Sequence, residues 1–326
     1  MKAIVIREFG GPEVLNVADV AAPVAGESHI RVRVRATALN RADVLQRMGR
    51  YPPPPGVPEN IPGLEFAGEV ESCGAGVTLW KVGDRVMGLL AGAGYAEYVT
   101  IHERMALAIP RGMDFVHAAA IPEAFLASFD ALFLQLKIAA GETVMIHAAS
   151  SGVGTAALQL ASHAGARVIA VSRAREKLEA LRGLGAFQPA VLGDAFVADV
   201  RHIAPDGVSA IFDLVGASVW ESNIELLAPG GRLLVFGFLG GAKAELDLGT
   251  VLRKRLHIMG TALRSRPIEE KIALSQCFAA RALPLFAEGR LRPVIDRVFD
   301  FHEVVDAHRA MESNAGIGKI VLRGPA

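Results

Sequence analysis

One stretch, Val144–Gln159, constrains the fold of this chain more than any other. It begins with the apolar run VMI, passes through the small residues of HAASSGVGT and continues with apolar residues at helical spacing. This order predicts a strand, a tight turn and a helix. Such a turn leaves backbone N–H groups free at the positive end of the helix dipole, where an anion such as a pyrophosphate binds.

The turn is a degenerate form of the glycine-rich dinucleotide fingerprint. The pattern G-x-G-x-x-G would place glycines at 149, 151 and 154, whereas this chain has Ala149, Ser151 and Gly154, with an additional Gly152. Small residues still allow a phosphate to approach the backbone closely. The turn alone is weak evidence for dinucleotide binding, so this interpretation depends on the pattern of the rest of the chain.

Beyond Pro110, short apolar strands alternate with helices. Repeated strand–helix units of this kind indicate a parallel sheet covered on both faces. A strand near 188–191 is the weakest of the set, because Pro189 removes a ladder donor. The other predicted strands are 144–147, 167–171, 210–215, 232–236 and 256–259, and the predicted helices are 153–164, 175–184, 220–227 and 268–287.

The first 110 residues have a different pattern, with many short strands separated by turns. Residues 30–36 alternate apolar and basic, which is typical of a strand with one buried and one solvated face. A helical turn over 40–47 is capped by Asn40 or by Asp43. Segments of β character return at 294–299 and 318–322. We expect them to rejoin the first module, so that the α/β domain is inserted in sequence.

A proline-rich segment, YPPPPGVPENIPG, covers residues 51–63. Its proline density forces an extended loop with few backbone donors. One interpretation is a stiff connector. The other is a rigid wall of a pocket, with Tyr51 projecting into it.

Composition and charge argue against several classes of protein. The net charge is zero, which favours neither nucleic acid nor an acidic membrane surface, and no apolar run approaches the ~18 residues of a spanning helix. The opening residues MKAIVIRE predict a strand rather than a signal peptide, so we expect a cytoplasmic protein. The only cysteines, Cys73 and Cys277, exclude a disulfide framework and a cysteine-rich zinc site.

Taken together, the chain resembles the zinc-free quinone oxidoreductase branch of the medium-chain dehydrogenase/reductase superfamily, which includes zeta-crystallin. The resemblance covers essentially the whole chain. It implies an α/β fold with a GroES-like β-barrel catalytic domain over 1–122 and 269–326, and an inserted Rossmann domain, a doubly wound parallel sheet, over 123–268. It rests on ALNRAD (38–43), GLEFAGEV (63–70), VGDRV (82–86), AAIPEA (119–124), HAASSGVGTAALQ (147–159) and GKIVL (318–322).

Zinc-containing relatives hold their metal with a cysteine near position 40 and a His-Glu pair near positions 64 and 65. This chain has Asn40 and Leu64 at those places, and Glu65 alone cannot hold a zinc ion. The cysteine lobe that binds structural zinc in those relatives is also missing. The resemblance therefore implies no metal site and metal-independent chemistry.

In a dinucleotide fold, residues at the end of the second strand select the cofactor, and an acidic side chain there binds both ribose hydroxyls. This chain instead has Ser172 and Arg173, followed by Lys177. One interpretation is that these three side chains surround the 2′-phosphate of NADP with charge-assisted hydrogen bonds. The other is that 175–177 is an ordinary solvated helix start. We expect NADPH as the cofactor.

Further cofactor contacts are implied by the resemblance. The family often has a threonine at the position of Ala127, so that either Ser128 supplies the hydroxyl here or the contact is absent. The basic runs 253–255 and 264–266 indicate solvated faces, although Arg264 could approach the pocket. The implied cofactor-binding residues are Asn40, Ser151, Gly152, Val153, Gly154, Phe236, Gly237, Phe238 and Lys319, together with Ser172, Arg173 and Lys177.

The candidate catalytic residues are Asn40, Tyr51 and Ser151. Hydride transfer turns a quinone into a hydroquinone monoanion that its own ring stabilises, so this reaction needs no strong enzymic acid. Tyr51 is the best hydrogen-bond donor to the quinone oxygen, although a phenol with a pKa of about 10 is a weak acid. Ser151 would donate to a substrate oxygen or a phosphate, or is present only because it is small. His147 ends a predicted strand, and we interpret it as a core histidine rather than a catalytic base.

Three functions remain open. The main hypothesis is an NADPH-dependent quinone reductase acting on a small quinone or enone. The nearer alternative is a reductase of enoyl thioesters or alkenals, which needs a better-placed proton donor. The third is an NADPH-binding structural or nucleic-acid-binding protein, and zero net charge and 6% aromatic residues argue against dedicated nucleic-acid binding. Relatives are dimers or tetramers through the edge strand, here 256–263, and we expect a homodimer or homotetramer.

Overall fold

Secondary structure is assigned over residues 1–185 and 187–325, which the computed structural model describes. The strands are β1 (Lys2–Ile6), β2 (Leu15–Asp19), β3 (His29–Ala38), β4 (Glu65–Cys73), β5 (Arg85–Leu89), β6 (Tyr98–His102), β7 (Leu107–Ala108), β8 (Thr143–Ile146), β9 (Arg167–Ser172), β10 (Phe187–Val191), β11 (Val208–Asp213), β12 (Leu227–Val235), β13 (His257–Gly260), β14 (Ile295–Phe299) and β15 (Lys319–Arg323). The α-helices are α1 (Arg41–Arg47), α2 (Phe115–Ala119), α3 (Pro122–Phe129), α4 (Gly152–His163), α5 (Arg175–Glu179), α6 (Phe196–Ile203), α7 (Trp220–Leu226), α8 (Leu248–Lys254), α9 (Ile268–Arg281), α10 (Leu283–Ala287) and α11 (Val304–Glu312).

These elements belong to two units. The first unit combines Met1–Leu126 with Leu263–Ala326, and the second is Ala127–Ala262. The α/β unit is inserted in sequence, as expected, because β15 pairs antiparallel with β3. The two units meet in sequence at 126/127 and 262/263, and the domain boundaries expected at 122/123 and 268/269 stay predictions. In the described part of the chain, no helix has both the length and the apolar character that crossing a membrane requires.

The first unit is built on a seven-stranded sheet in the order β14-β15-β3-β4-β5-β7, with β6 also paired to β3 and a separate β1–β2 ribbon. The alternation predicted at 30–36 is confirmed. Ile30, Val32 and Val34 are buried in an apolar cluster, while Arg31 on the other face pairs with Glu71. Asn40 is the cap of α1, with Asp43 completing a capping box.

The second unit is a six-stranded parallel sheet in the order β10-β9-β8-β11-β12-β13. Its unalternating strands bury apolar side chains, as in Val144, Met145 and Ile146 of β8. The strand that contains Pro189 lies at one edge, where a missing ladder donor costs little. Strand β13 lies at the other edge, as expected, and association of copies through it stays a prediction.

Two predicted helices differ from the observed ones. The helix expected over 175–184 ends at Glu179, before Gly183 and Gly185, which both take positive φ values. The helix expected over 268–287 is divided into α9 and α10. Pro284, in the first turn of α10, lacks an N–H donor and cannot continue the hydrogen-bond ladder of α9.

Candidate functional site

The glycine turn joins β8 to α4 in the second unit. Ser151 is the N-terminal cap of α4, and its Oγ accepts a hydrogen bond from the N–H of Gly154 at 3.0 Å. Within the described residues, the N–H groups of Gly152 and Val153 have no acceptor, and neither does the Ser151 hydroxyl hydrogen. These free donors at the positive end of a 12-residue helix fit the pyrophosphate of a dinucleotide.

Gly154 serves the packing of this turn. A Cβ at this position would lie 2.3 Å from the carbonyl oxygen of Ala148 and 2.7 Å from the Cα of Ala149. Only glycine therefore allows the first turn of α4 to pack on the end of β8. The positions where the fingerprint lacks glycine hold Ala149, which is fully buried, and Ser151, which caps the helix. The degenerate fingerprint thus keeps its essential glycine.

The end of β9 carries no carboxylate. Ser172 is its last residue and is buried, with Oγ accepting from the N–H of Ala174 at 3.3 Å. Arg173 follows and is exposed, and Lys177 lies half-buried in α5. A hydroxyl and two cations at this end fit the 2′-phosphate of NADP, and the contact itself stays a prediction.

The loop after β12 contains the predicted nicotinamide contacts. The N–H groups of Phe236 and Gly237 both donate to the carbonyl oxygen of Asp213, at 2.8 and 3.2 Å. A Cβ at Gly237 would lie 3.0 Å from the carbonyl oxygen of Leu214, so the backbone runs close here. Phe238 is 58% exposed. Strand β12 ends at Val235, one residue before the predicted end, with Phe236 starting the loop.

Two polar side chains near the turn belong to the interior. His147 is fully buried and its Nε2 lies 2.7 Å from Oδ1 of Asn223, while burial lowers the pKa of the imidazole. Ser128 is also fully buried, and its hydroxyl donates to the carbonyl oxygen of Val153 at 3.0 Å. This geometry supports the core interpretation of His147. It also gives the Ser128 hydroxyl an acceptor inside the unit, and a cofactor contact from Ser128 stays a prediction.

The first unit contains a buried polar cluster around Glu65. The ammonium group of Lys319 forms an ion pair with Glu65 Oε1 at 2.7 Å and donates hydrogen bonds to Asn40 Oδ1 at 2.6 Å and to the carbonyl oxygen of Leu39 at 2.8 Å. Asn40 Nδ2 donates to Glu65 Oε1 at 2.8 Å. Asn40 and Glu65, at the positions of zinc ligands in other relatives, thus hold a cation of the chain itself. Lys319 thus has two hydrogen-bond acceptors and one ion-pair partner inside the unit, and the predicted cofactor contacts of Lys319 and Asn40 stay predictions.

Asp43 extends this cluster. Its carboxylate accepts hydrogen bonds from the N–H groups of Asn40 and Gly63 at 2.8 and 2.9 Å, and from the Tyr95 hydroxyl at 3.1 Å. Complete burial outweighs these donors and raises the pKa of Asp43 to about 6. The described residues contain no group of three or more His, Cys, Asp or Glu side chains that could hold a metal ion.

The solvated interpretation is wrong for Arg264. Its side chain is buried and donates to the carbonyl oxygens of Ala91 at 2.6 Å and Tyr51 at 3.1 Å, and to Gln46 Oε1 at 2.6 Å. The guanidinium also lies 5.0 Å from the centre of the Tyr51 ring. Sequence pattern missed this role because a basic residue beside Ser265 and Arg266 is normally a surface residue.

Arg264 fixes the start of the proline-rich segment. It contacts both the backbone and the ring of Tyr51, which is half-buried. Burial raises the pKa of the Tyr51 phenol, so the hydroxyl stays protonated at neutral pH. That hydroxyl has no hydrogen-bond partner among the described residues. These contacts favour the rigid-wall interpretation of this segment and leave Tyr51 able to donate.

Glu123 is a residue that sequence reasoning missed. It lies in the first turn of α3, and its N–H donates to Glu65 Oε2 at 2.8 Å. Burial, reinforced by the negative charge of Glu65, raises the pKa of its carboxyl to about 8. The available signal was a single acidic residue inside the apolar run AAAIPEAFLA, where a charge is expensive to bury unless it is paired or neutralised.

Comparison with known proteins agrees with both units. Residues 26–111 match the family model described as alcohol dehydrogenase GroES-like domain, and residues 152–280 match the one described as zinc-binding dehydrogenase. A quinone oxidoreductase of Pseudomonas aeruginosa is 34% identical over 98% of this chain and 99% of its own length. One from Lama guanicoe is 32% identical over 99% of this chain and 97% of its own length.

Several solved structures are similar to this chain over nearly its whole length. An NAD-dependent alcohol dehydrogenase has a TM-score of 0.89 with 31% identity, each chain covered completely. A mycobacterial protein complexed with NADPH has a TM-score of 0.89 with 27% identity, over 99% of this chain and 100% of the other. The CurK enoyl reductase has a TM-score of 0.86 with 25% identity, over 99% of both chains.

The chain belongs to the medium-chain dehydrogenase/reductase superfamily, in its quinone oxidoreductase branch. Its fold is the α/β combination expected for that branch, with a GroES-like unit and a Rossmann unit. It is accordingly an oxidoreductase that binds a nicotinamide dinucleotide and acts on a small molecule.

Proposed function

We propose that this protein is an NADPH-dependent quinone reductase that works without a metal ion. The observation that carries the proposal is the Glu65 cluster, in which the ammonium group of Lys319 contacts both Asn40 and Glu65. An alcohol substrate needs a Lewis acid or a base to lose its proton, whereas a quinone accepts a hydride without either. The relatives named quinone oxidoreductase support the same choice.

NADPH is the proposed cofactor because of the end of β9. NAD-dependent and NADPH-bound proteins are both similar to this chain, so the likeness alone does not select between them. Arg173 is exposed beside Ser172, and no carboxylate is present there to accept hydrogen bonds from a free ribose 2′-hydroxyl. A guanidinium beside a hydroxyl favours a 2′-phosphate.

In the proposed mechanism, the bound reduced nicotinamide supplies the hydride. The N–H groups of Gly152 and Val153 would hold the pyrophosphate of the cofactor, and Arg173 would hold its 2′-phosphate. The Tyr51 hydroxyl, kept protonated and fixed by Arg264, donates a hydrogen bond to the quinone oxygen as negative charge develops on it. Ser151 supplies a second hydroxyl donor at the turn.

Cofactor selection tests the proposal. With 1,2-naphthoquinone as acceptor, the wild type should use NADPH at a much lower KM than NADH. Arg173→Ala should raise the KM for NADPH about 10-fold to 100-fold and leave that for NADH unchanged, because a hydrogen bond to a charged group contributes roughly 1.5–3 kcal/mol. Arg175→Ala, an exposed arginine two residues further on, is the matched control and should change neither value. A wild type that prefers NADH would contradict the proposal.

A second candidate function is reduction of a C=C bond conjugated to a carbonyl. The likeness to the CurK enoyl reductase is consistent with it. The specific observation in its favour is Glu123, whose raised pKa of about 8 keeps its carboxyl protonated at neutral pH. Comparing turnover of 2-enals, an enoyl thioester and quinones with the same NADPH concentration would separate the two functions.

A further inference from the structure

Two groups outside the fully buried part of the Glu65 cluster keep accessible surface: Glu123, whose N–H donates to Glu65 Oε2, and Tyr51, whose phenol is affected by the Glu123 charge. Glu65, Asp43 and Tyr95 are each 0% exposed. Glu123 and Tyr51 are only half-buried. A substrate at the surface of this cluster therefore has access to one carboxyl group and one phenol.

The backbone of Glu123 is held in place, and its carboxyl group is unpaired among the described residues. Its backbone N–H is fixed on Glu65 Oε2 at 2.8 Å, which leaves its side chain beside the cluster. Both oxygens of Glu65 are occupied, Oε1 by Lys319 and Asn40 and Oε2 by this N–H. The Glu123 side chain makes no hydrogen bond or ion pair among the described residues. By contrast, the Glu65 carboxylate has two hydrogen bonds and an ion pair, and the Asp43 carboxylate accepts three hydrogen bonds.

The charges around Glu123 come from several elements. Negative Glu65 from β4 and Asp43 from α1 oppose its ionisation, and positive Lys319 from β15 and Arg264 from the segment before α9 favour it. Tyr51, from the proline-rich segment, stays a neutral phenol and is itself affected by the Glu123 charge. The effect of burial on the pKa of Glu123 exceeds that of the two cations, so its carboxyl group stays protonated at neutral pH.

We propose that Glu123 is a catalytic residue, the acid that delivers a proton to the α-carbon of an α,β-unsaturated aldehyde or ketone after a hydride has added to its β-carbon. This inference rests on the proposed hydride transfer from NADPH. It extends that function to a class of substrates that, unlike a quinone, requires a positioned acid for its reduction. Carbon protonation is slow without a positioned donor, whereas a hydroquinone oxygen takes its proton from water.

The proposed reduction conserves atoms and electrons. A hydride that the bound cofactor would supply forms a C–H bond at the β-carbon; the π pair of the C=C bond shifts to the bond between the α-carbon and the carbonyl carbon, and the π pair of the carbonyl moves onto its oxygen, which gives an enolate. The O–H bond of Glu123 then breaks and leaves a carboxylate, its proton forms a C–H bond at the α-carbon with the enolate C=C pair, and the carbonyl re-forms. The substrate is reduced by two electrons and the nicotinamide is oxidised. Because Glu123 is half-buried, its carboxylate regains a proton from water.

The test compares Glu123→Gln with wild type, using NADPH with 2-hexenal and with 1,2-naphthoquinone. The amide keeps the shape of the side chain but cannot act as an acid. We expect kcat for 2-hexenal to fall about 100-fold, within the range for loss of a general acid. The kcat for naphthoquinone should stay within about threefold. Glu123→Asp should recover part of the enal activity, and Glu59→Gln, an exposed carboxyl in the same unit, should change nothing.

The pH profile separates a catalytic from a structural role. In the wild type, kcat for 2-hexenal should be constant below pH 8 and fall about tenfold per pH unit above it, as the acid ionises. The fall should persist in Tyr51→Phe and disappear in Glu123→Gln. Equal enal activity in wild type and Glu123→Gln would overturn the inference, as would a wild type that reduces quinones but no enal. Absence of NADPH consumption with every acceptor would instead reject the proposed function.

Discussion

Lys319 and Glu65 form an ion pair inside the first unit, with side chains only 5% and 0% exposed. Each charge is costly to bury, and their attraction offsets this cost only because Asn40 and the carbonyl oxygen of Leu39 complete the hydrogen bonding. Sequence reasoning selected Lys319 and Asn40 by resemblance but not their pairing with Glu65. Partners 254 to 279 positions apart cannot be joined before the topology is known.

Replacing Lys319 by Met should leave Glu65 charged and unpaired in the interior. We expect the free energy of unfolding of the first unit to fall by about 3 kcal/mol or more. Urea denaturation in a Trp220→Phe background measures this, because Trp80 then reports on the first unit alone. Adding Glu65→Gln should restore part of the loss, and Lys2→Met, which removes an exposed pair with Asp19, is the control without effect. No loss in Lys319→Met would show that the pair is not desolvated.

The strand–turn–helix of β8 and α4 is the element that sequence reasoning described best. Apolar periodicity located both elements, and the small residues located the turn between them. The physical reason for Gly154 could not be read from sequence, since it depends on how closely the Ala148 carbonyl approaches. The same limit explains the helix predicted over 268–287, where periodicity continued through Pro284 although the hydrogen-bond ladder does not.

Gly154→Ala should therefore damage both stability and cofactor binding. Its methyl group would meet backbone atoms at 2.3 and 2.7 Å, which cannot move aside like a flexible side chain. We expect a loss of about 2–3 kcal/mol, at the upper end for overpacking, and a Kd for NADPH raised more than tenfold. In a Trp80→Phe background, Trp220 fluorescence during urea denaturation reports on the second unit. Gly193→Ala, where a Cβ meets nothing within 4 Å, should be neutral, and equal effects of both changes would contradict this account.

At the scale of the whole chain, segments from the early and the late part of the sequence pack together in the first unit. Strand β15 pairs with β3, and α11 packs against α1, where buried Arg47 donates to Glu312 at 2.7 Å and contacts His308 Nδ1 at 3.2 Å. The general arrangement could be predicted, because β character returned at 294–322 and the family pattern covered the chain. The interior polar groups could not, since Arg47 and His308 carry no pattern that distinguishes them from surface residues.

His308 should make the protein acid-sensitive. Burial, reinforced by the charges of Arg47 and Arg41, lowers the pKa of His308 to about 3, below the value of about 6.5 in an unfolded chain. The unfolded state therefore binds a proton first, and the stabilisation from neutral His308 is complete above pH 6.5 and is lost as the pH falls toward 3. Between pH 7 and pH 5 this amounts to about 2 kcal/mol. Urea denaturation at both pH values should show wild type losing that much more than His308→Gln, because every other group, Asp43 included, titrates in both proteins. An equal loss in the two proteins would place the acid sensitivity elsewhere.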